Sequence, residues 1–280
     1  MPIVPRSKSH TFLYSLAQFL LSTFPLTLFL NCRQLDPNYS EPIIQGSLYR
    51  LENYDYSVSY ERYFDIFDSR GLRMVPIIIL NKETLDGNYY GTEYIYQDTN
   101  TFPVNTRYRL QVSHYWGKAT AEVMMPGNFS LITPPENYIL DLESTLVISW
   151  HPAPGAEWYG VELRIDYDYR NFFGEEEDYT YIFDTLVKDT SLTIPPERIF
   201  PASVADVLEG DGSAWVWAGS GPTFLPGDKG NINGAGFGFF NAINETREKY
   251  FYVGAPINIR RHPKIIRERR RMLYSTAFRG

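Results

Sequence analysis

Carboxylates are the richest source of chemistry in this sequence. Asp166, Asp168, Glu175, Glu176, Glu177 and Asp178 crowd one strand end and the loop after it. Three kinds of chemistry use such a group. A calcium site takes several oxygens from a flexible loop, with Asp211 and Asp228 as further donors. A glycosidase pair has its stereochemistry set by the carboxylate separation. A bare negative surface attracts a basic partner. The alternative to all three is a solvated acidic loop. No twelve-residue EF-hand spacing is present. A second candidate group is aromatic: Trp158, Tyr159, Trp215 and Trp217 could form a flat strip that stacks on sugar rings, whereas Trp150 is expected in a core.

Other chemistry finds little support. His114, His151 and His262 share no metal-ligand spacing, and His10 lies in the leader. There is no Gly-x-Ser-x-Gly elbow, no His-Glu-x-x-His pair and no phosphate-binding glycine loop. The single Cys excludes a disulfide framework, an iron–sulfur cluster and a multi-thiolate zinc site. A net charge of −7 argues against a protein that wraps DNA. Catalysis and a resident cofactor are therefore not expected, calcium at the acidic cluster being the one exception.

That Cys stands at an informative place. After a positive start (Arg6, Lys8), Thr11 to Leu30 carries no formal charge, and Cys32 follows directly in Leu28-Phe29-Leu30-Asn31-Cys32. A helix of such a run could cross a hydrocarbon core about 30 Å thick. Pro25 and Gln18 favour a secretory leader over a permanent span. The segment resembles the lipobox of bacterial lipoproteins, in a relaxed form with Asn31 before the Cys and Phe29 three places before it. The resemblance implies acylation of Cys32 and anchoring of an exported protein in the cell envelope, at the outer membrane or the cell surface.

The far end is basic. Residues 256–280 hold eight Lys or Arg against Glu268, whereas residues 33–255 hold 32 acidic and 16 basic residues. Arg267, Arg269, Arg270 and Arg271, flanked by Ile265, Ile266, Met272 and Leu273, could lie on an anionic membrane or polysaccharide surface or dock on the acidic body. A disordered solubilising tail is the alternative, and nucleic acid is not an expected partner of an exported protein.

These groups must be positioned by strands. Aromatics make up 16% of the chain, and its 20 Gly and 19 Pro are spread along it, a mixture that favours strands joined by turns. Strand patterns fall at Gly71 to Leu80, at Tyr89 to Tyr96 after the Asp86-Gly87 turn, and at Ala119 to Met125. In Arg107 to Tyr115, residues Tyr108, Leu110, Val112 and His114 share a face. A Pro-rich seam at 126–135 separates this part from Leu146-Val-Ile-Ser-Trp150, Tyr159, Val161 and Leu163. That second run resembles the B and C strands of fibronectin type III domains. Thr190 to Ile194, Ala214 to Ala218, and Gly236 to Phe240 with Tyr250 to Val253 resemble later strands, and Phe200 to Gly210 reads as a short helical insertion.

The expected fold is all-β, two tandem β-sandwich domains of immunoglobulin-like or fibronectin type III-like kind behind a signal peptide. The expected division is a signal peptide at 1–31, a tether at 32–45, sandwiches at 46–128 and 134–255, and a basic tail at 256–280. The sequons at Asn38, Asn128 and Asn244 are read as chance matches. The expected role is binding, adhesion or structural display at the envelope. The membrane is reached through Cys32, with an envelope protein or polysaccharide as partner. A carbohydrate-binding module or a carboxylate-dependent hydrolase is the rival reading.

Overall fold

Period-two alternation runs through most of the chain, and the computed structural model turns it into strands. It describes residues 41–52, 57–68, 70–85, 88–90, 93–95, 101–223 and 228–254, and the statements below concern these. In Arg107–His114 (β7), Tyr108, Leu110 and Val112 point inward, with His114 half-buried after them. Gly117–Met124 (β8) alternates in the same way and pairs antiparallel with β7. Ile77–Leu80 (β3) joins β7 on the other side, and Glu83–Thr84 (β4) follows it. The β3–β4 turn uses Asn81 and Lys82, both at positive φ, as a tight two-residue hairpin requires. The expected Gly71 to Leu80 strand is thus a strand only from Ile77, just past Pro76.

Three sheets result. The largest has ten strands, and its spine is Ile43–Glu52 (β1), Val58–Phe67 (β2), Val204–Ser220 (β15), Phe237–Glu245 (β17) and Lys249–Gly254 (β18). Trp158–Asn171 (β12) pairs with β15 and with Glu176–Val187 (β13). Asn88–Tyr90 (β5) and Glu93–Ile95 (β6) extend the β2 edge, and Ile139–Leu140 (β10) lies on the β18 edge. The second sheet holds Asn233–Gly234 (β16), β8, β7, β3 and β4. The third holds Leu131–Thr133 (β9), Leu146–Trp150 (β11) and Ser191–Ile194 (β14).

Two hydrophobic cores follow. One lies between the third sheet and the inward faces of β12, β15 and β18: Ile148, Trp150 and Ile194 meet Val161, Leu163, Ile165, Val216 and Phe251. Trp150 is 2% exposed and its ring lies 5.4 Å from that of Tyr159, whose hydroxyl accepts from the Ala153 amide at 2.9 Å. The other lies between the second sheet and β1, β2 and β17: Ile78, Leu110, Val112 and Val123 meet Ile44, Leu48, Phe64, Phe240 and Ala242. The fold is all-β, with two cores on one continuous sheet.

That continuity crosses the Pro-rich seam. β1 runs parallel to β17 over eight residue pairs, from Ile43↔Phe237 to Arg50↔Asn244. Phe240 and Ala242 therefore complete the core made otherwise by residues 44–125. Ser40–Thr223 and Asp228–Ile257 form one compact unit, to which all described residues belong.

The helical insertion expected over 200–210 is corrected. Helix α1 is one turn, Pro196–Ile199, started by the Pro pair at 195 and 196. From Val204 onward the chain is strand, because β12 offers backbone partners as far as Asn171↔Val204, with two register shifts, between Asp168 and Tyr169 and between Arg170 and Asn171.

Candidate functional site

The acidic cluster lies on the β12–β13 hairpin and its outward face. Even-numbered β12 residues point away from the core, and their direct partners on β13 and β15 share that side. The pairing sets Asp166 opposite Asp211, and Asp168 between Asp178 and Glu209. Like charges directly opposite across strands repel. Arg164 moderates this, placing Nε and Nη2 at 2.6 and 2.8 Å from the two Asp166 oxygens. Thr180 donates to Asp166 Oδ1 at 2.5 Å, and Arg170 pairs with Glu176 at 3.1 Å.

Asp211 bears the consequence. Partial burial, and then the neighbouring Asp166 charge, push its carboxyl above the ordinary Asp value, with Arg164 opposing. A raised folded pKa means that the group favours folding while protonated and loses that contribution as pH rises through the folded value. Asp211→Asn is therefore expected to raise stability at neutral pH by a few tenths of a kcal/mol after solvent screening, seen as a higher melting temperature. The gain should vanish at about pH 3, where the aspartate is protonated in both states. Thermal unfolding at the two pH values checks it.

At the hairpin end, Asn171 organises the turn. Its Oδ1 accepts from the amides of Phe173 and Glu175 at 2.9 and 3.0 Å, and its Nδ2 donates to Glu175 and Glu177 at 3.1 and 2.7 Å. Tyr169 donates to Glu177 at 2.6 Å, and this bond and the one from Asn171 hold the Glu177 carboxyl below the usual range. Gly174 takes φ +79°, which only glycine adopts freely. The clamp turns two side chains outward: Phe172 is 72% and Phe173 90% exposed.

Asp166, Glu175, Glu176 and Glu177 are thus each engaged by a neighbouring donor rather than converging on one point. Among the described residues no group of three His, Cys, Asp or Glu is arranged to hold a metal ion. The calcium set Asp166, Asp168, Glu175, Glu176, Glu177 and Asp178 does not converge, because only Asp168 and Asp178 stand directly opposite each other, Asp166 faces Thr180, and Glu175 and Glu177 bond Asn171 at the turn. Glu143 and Glu197 border a shallow cavity of about 350 Å³ beside Leu142, Phe200 and Val204, apart from that hairpin face.

The sugar platform is corrected outright. Trp158, Tyr159 and Trp215 are buried and Trp217 is half-buried. Tyr159 belongs to the core behind Trp150. The two indoles at 158 and 217 cover glycines on the partner strand: Trp158 faces Gly219 and Gly160 faces Trp217. A Cβ at Gly160 would lie 2.0 Å from the Trp217 ring, and one at Gly219 2.1 Å from Trp158. Aromatic rings laid over glycines restore packing the glycines lack. Trp158 Nε1 donates to the Gly221 carbonyl at 2.8 Å, so its polar edge is used as well.

Other expectations divide. His114 Nε2 lies 2.6 Å from the Ala235 carbonyl, and His151 Nδ1 lies 3.0 Å from Ser130 Oγ, both local structural contacts. Asn244 is fully buried, its amide donating to the Pro126 and Gly127 carbonyls at 3.2 and 2.8 Å, so that sequon is closed to modification. Cys32, Asn38, His262 and Arg267, Arg269, Arg270 and Arg271 lie outside the described residues. Sequence reasoning missed the two exposed aromatic tips, Phe172-Phe173 and Tyr115-Trp116. The available signal was a pair of adjacent aromatics directly before a turn glycine, in Asn171-Phe-Phe-Gly174 and His114-Tyr-Trp-Gly117. No protein-family model matches this sequence, and no curated protein matches it either.

Proposed function

We propose that this chain is an exported envelope protein, anchored through acylated Cys32, that displays a binding surface on a β scaffold and performs no catalysis. The observation that carries the reading is the position of the Phe172-Phe173 tip. β1 and β12 run in the same direction in the large sheet, and β15 links them antiparallel to both β12 and β17. The chain enters at Pro42 at one end of that sheet, and the tip beyond Asn171↔Val204 stands at the other end. An anchored body with a rigid, exposed aromatic turn at its far end is built to meet a partner, and aromatic side chains supply contact area at low entropic cost. The acidic rungs below the tip favour a partner with basic groups, an envelope protein or a cationic polysaccharide. For the fold we propose a tandem pair of sandwiches, the one around Trp150 similar to fibronectin type III. The support is β11 ending in that buried Trp against Tyr159 of the returning strand.

The test is mass spectrometry of the host membrane fraction for wild type and Cys32→Ala. The expected result is an acylated N-terminus at Cys32 and loss of membrane retention in the variant. A mature protein that still begins near Met1 overturns the reading.

A further inference from the structure

The second aromatic tip, Tyr115-Trp116, lies at the opposite end from Phe172-Phe173, beside the point where the chain enters the fold. Three contacts fix this. The Phe237 amide donates to the Pro42 carbonyl at 3.1 Å, and the Ala235 amide donates to Lys118 at 2.9 Å. His114 Nε2 lies 2.6 Å from the Ala235 carbonyl. The β7–β8 turn is therefore a short step from residues 41–42. The segment before β3 arrives at the same end, since Phe67 bridges Arg73, the Met74 amide donates to Ile66 at 2.8 Å, and Ile77 pairs with Ser113.

This end is unusually apolar for a strand terminus. Leu72 is 56%, Val75 75%, Ile77 58%, Tyr115 93% and Trp116 40% exposed. Lys118 is exposed beside them, and so is Arg70, which also bonds Asp68 at 2.8 Å. Trp and Tyr among aliphatic side chains with flanking cations are the residue types that settle at the boundary between lipid headgroups and acyl chains.

We propose that this end, through Tyr115, Trp116, Val75 and Ile77, rests on the surface of a phospholipid bilayer. The proposal rests on the anchored reading above. The uncharged run ends at Leu30, Cys32 follows, and nine residues from Arg33 to Glu41 separate it from Pro42. Fully extended, they span at most about 32 Å. An anchor at Cys32 thus holds the Pro42 end, and not the Phe172-Phe173 end, close to the membrane. The contact orients the large sheet away from the bilayer and leaves the far tip free for its partner.

The test uses full-length protein purified from host membranes, in vesicles of equal parts phosphatidylglycerol and phosphatidylcholine. The phosphatidylcholine is brominated either near the carbonyl or near the chain end. Wild type, Trp116→Phe and Trp217→Phe are compared by tryptophan emission, and co-sedimentation reports binding. The expected result is stronger quenching by the shallow bromines, falling by about half or more in Trp116→Phe and unchanged in Trp217→Phe. Vesicle-bound protein with equal quenching in wild type and Trp116→Phe overturns the contact and leaves the anchor intact. Trp116 shielded only as protein concentration rises means that a second copy covers this end, and overturns it too. Cys32→Ala protein that leaves the host membrane but retains Trp116-dependent quenching at higher lipid supports both the anchor and the contact, whereas Cys32→Ala protein retained on the host membrane like wild type, with the same quenching, supports the contact and overturns the anchor.

Discussion

Phe240→Ala is expected to lower stability by about 3–5 kcal/mol in urea unfolding, the range for a fully buried aromatic cut to a methyl. Phe240 has no exposed surface, and its ring lies 6.2 Å from that of Phe64 in a stacked arrangement. Both rings lie over Gly46 of β1, whose Cβ position is 3.0 Å from Phe64 and 3.1 Å from Phe240. The glycine leaves no atom to fill the void, so the site collapses poorly and the cost belongs at the upper end of the range. Phe240 comes from beyond residue 230 yet serves the core of residues 44–125. A loss under about 1 kcal/mol would mean that the N-terminal core closes without β17.

Gly238→Ala is expected to cost about 3 kcal/mol or more, for two reasons that add. Gly238 takes φ +126°, a conformation that side chains with a Cβ rarely adopt, and the new Cβ would lie 2.0 Å from the Ile44 carbonyl oxygen. The obstructing atom is backbone within the β1–β17 ladder, so it cannot rotate away. Gly71→Ala provides the comparison. It has φ +76° but nothing within 4 Å of the Cβ position, leaving about 1 kcal/mol of backbone strain alone. Denaturant midpoints of the two variants, measured side by side, separate steric closure from conformational cost. Equal midpoints would show that the parallel ladder yields at this point.

Both predictions concern a junction that local pattern could not reveal. β7, β8 and β11 were legible because period-two alternation is local: each residue's side is fixed by the pleat, and Tyr108, Leu110 and Val112 are buried on the expected face. Trp150 in a core was implied by the resemblance of Leu146–Trp150 to a fibronectin type III strand, and it is buried on the same face as Leu146 and Ile148. The Val204–Ser220 strand was legible only in its Ala214 to Ala218 part. Its first residues, Val204-Ala-Asp-Val-Leu-Glu209, alternate weakly, and their state is set by pairing with β12.

The candidate site divides along the same line. The acidic residues were readable as a cluster in sequence, but a pleated hairpin places alternate residues on opposite faces, and Asp166, Glu175, Glu176 and Glu177 each take a donor close by. The tryptophans were readable as large aromatics, but only their cross-strand partners decided their exposure. Gly160 and Gly219 made room for Trp217 and Trp158, so that polar-looking strand positions took in rings. By itself the sequence determined an all-β chain with a Trp150-centred core, because those follow from neighbours within a few residues. The tertiary structure alone decided that β1 joins β17 across some 190 residues, and that the two exposed aromatic pairs, carried on two different sheets, stand at opposite ends of the fold. Register and layering are set by the summed burial of many residues far apart in the chain, and no local period encodes that sum.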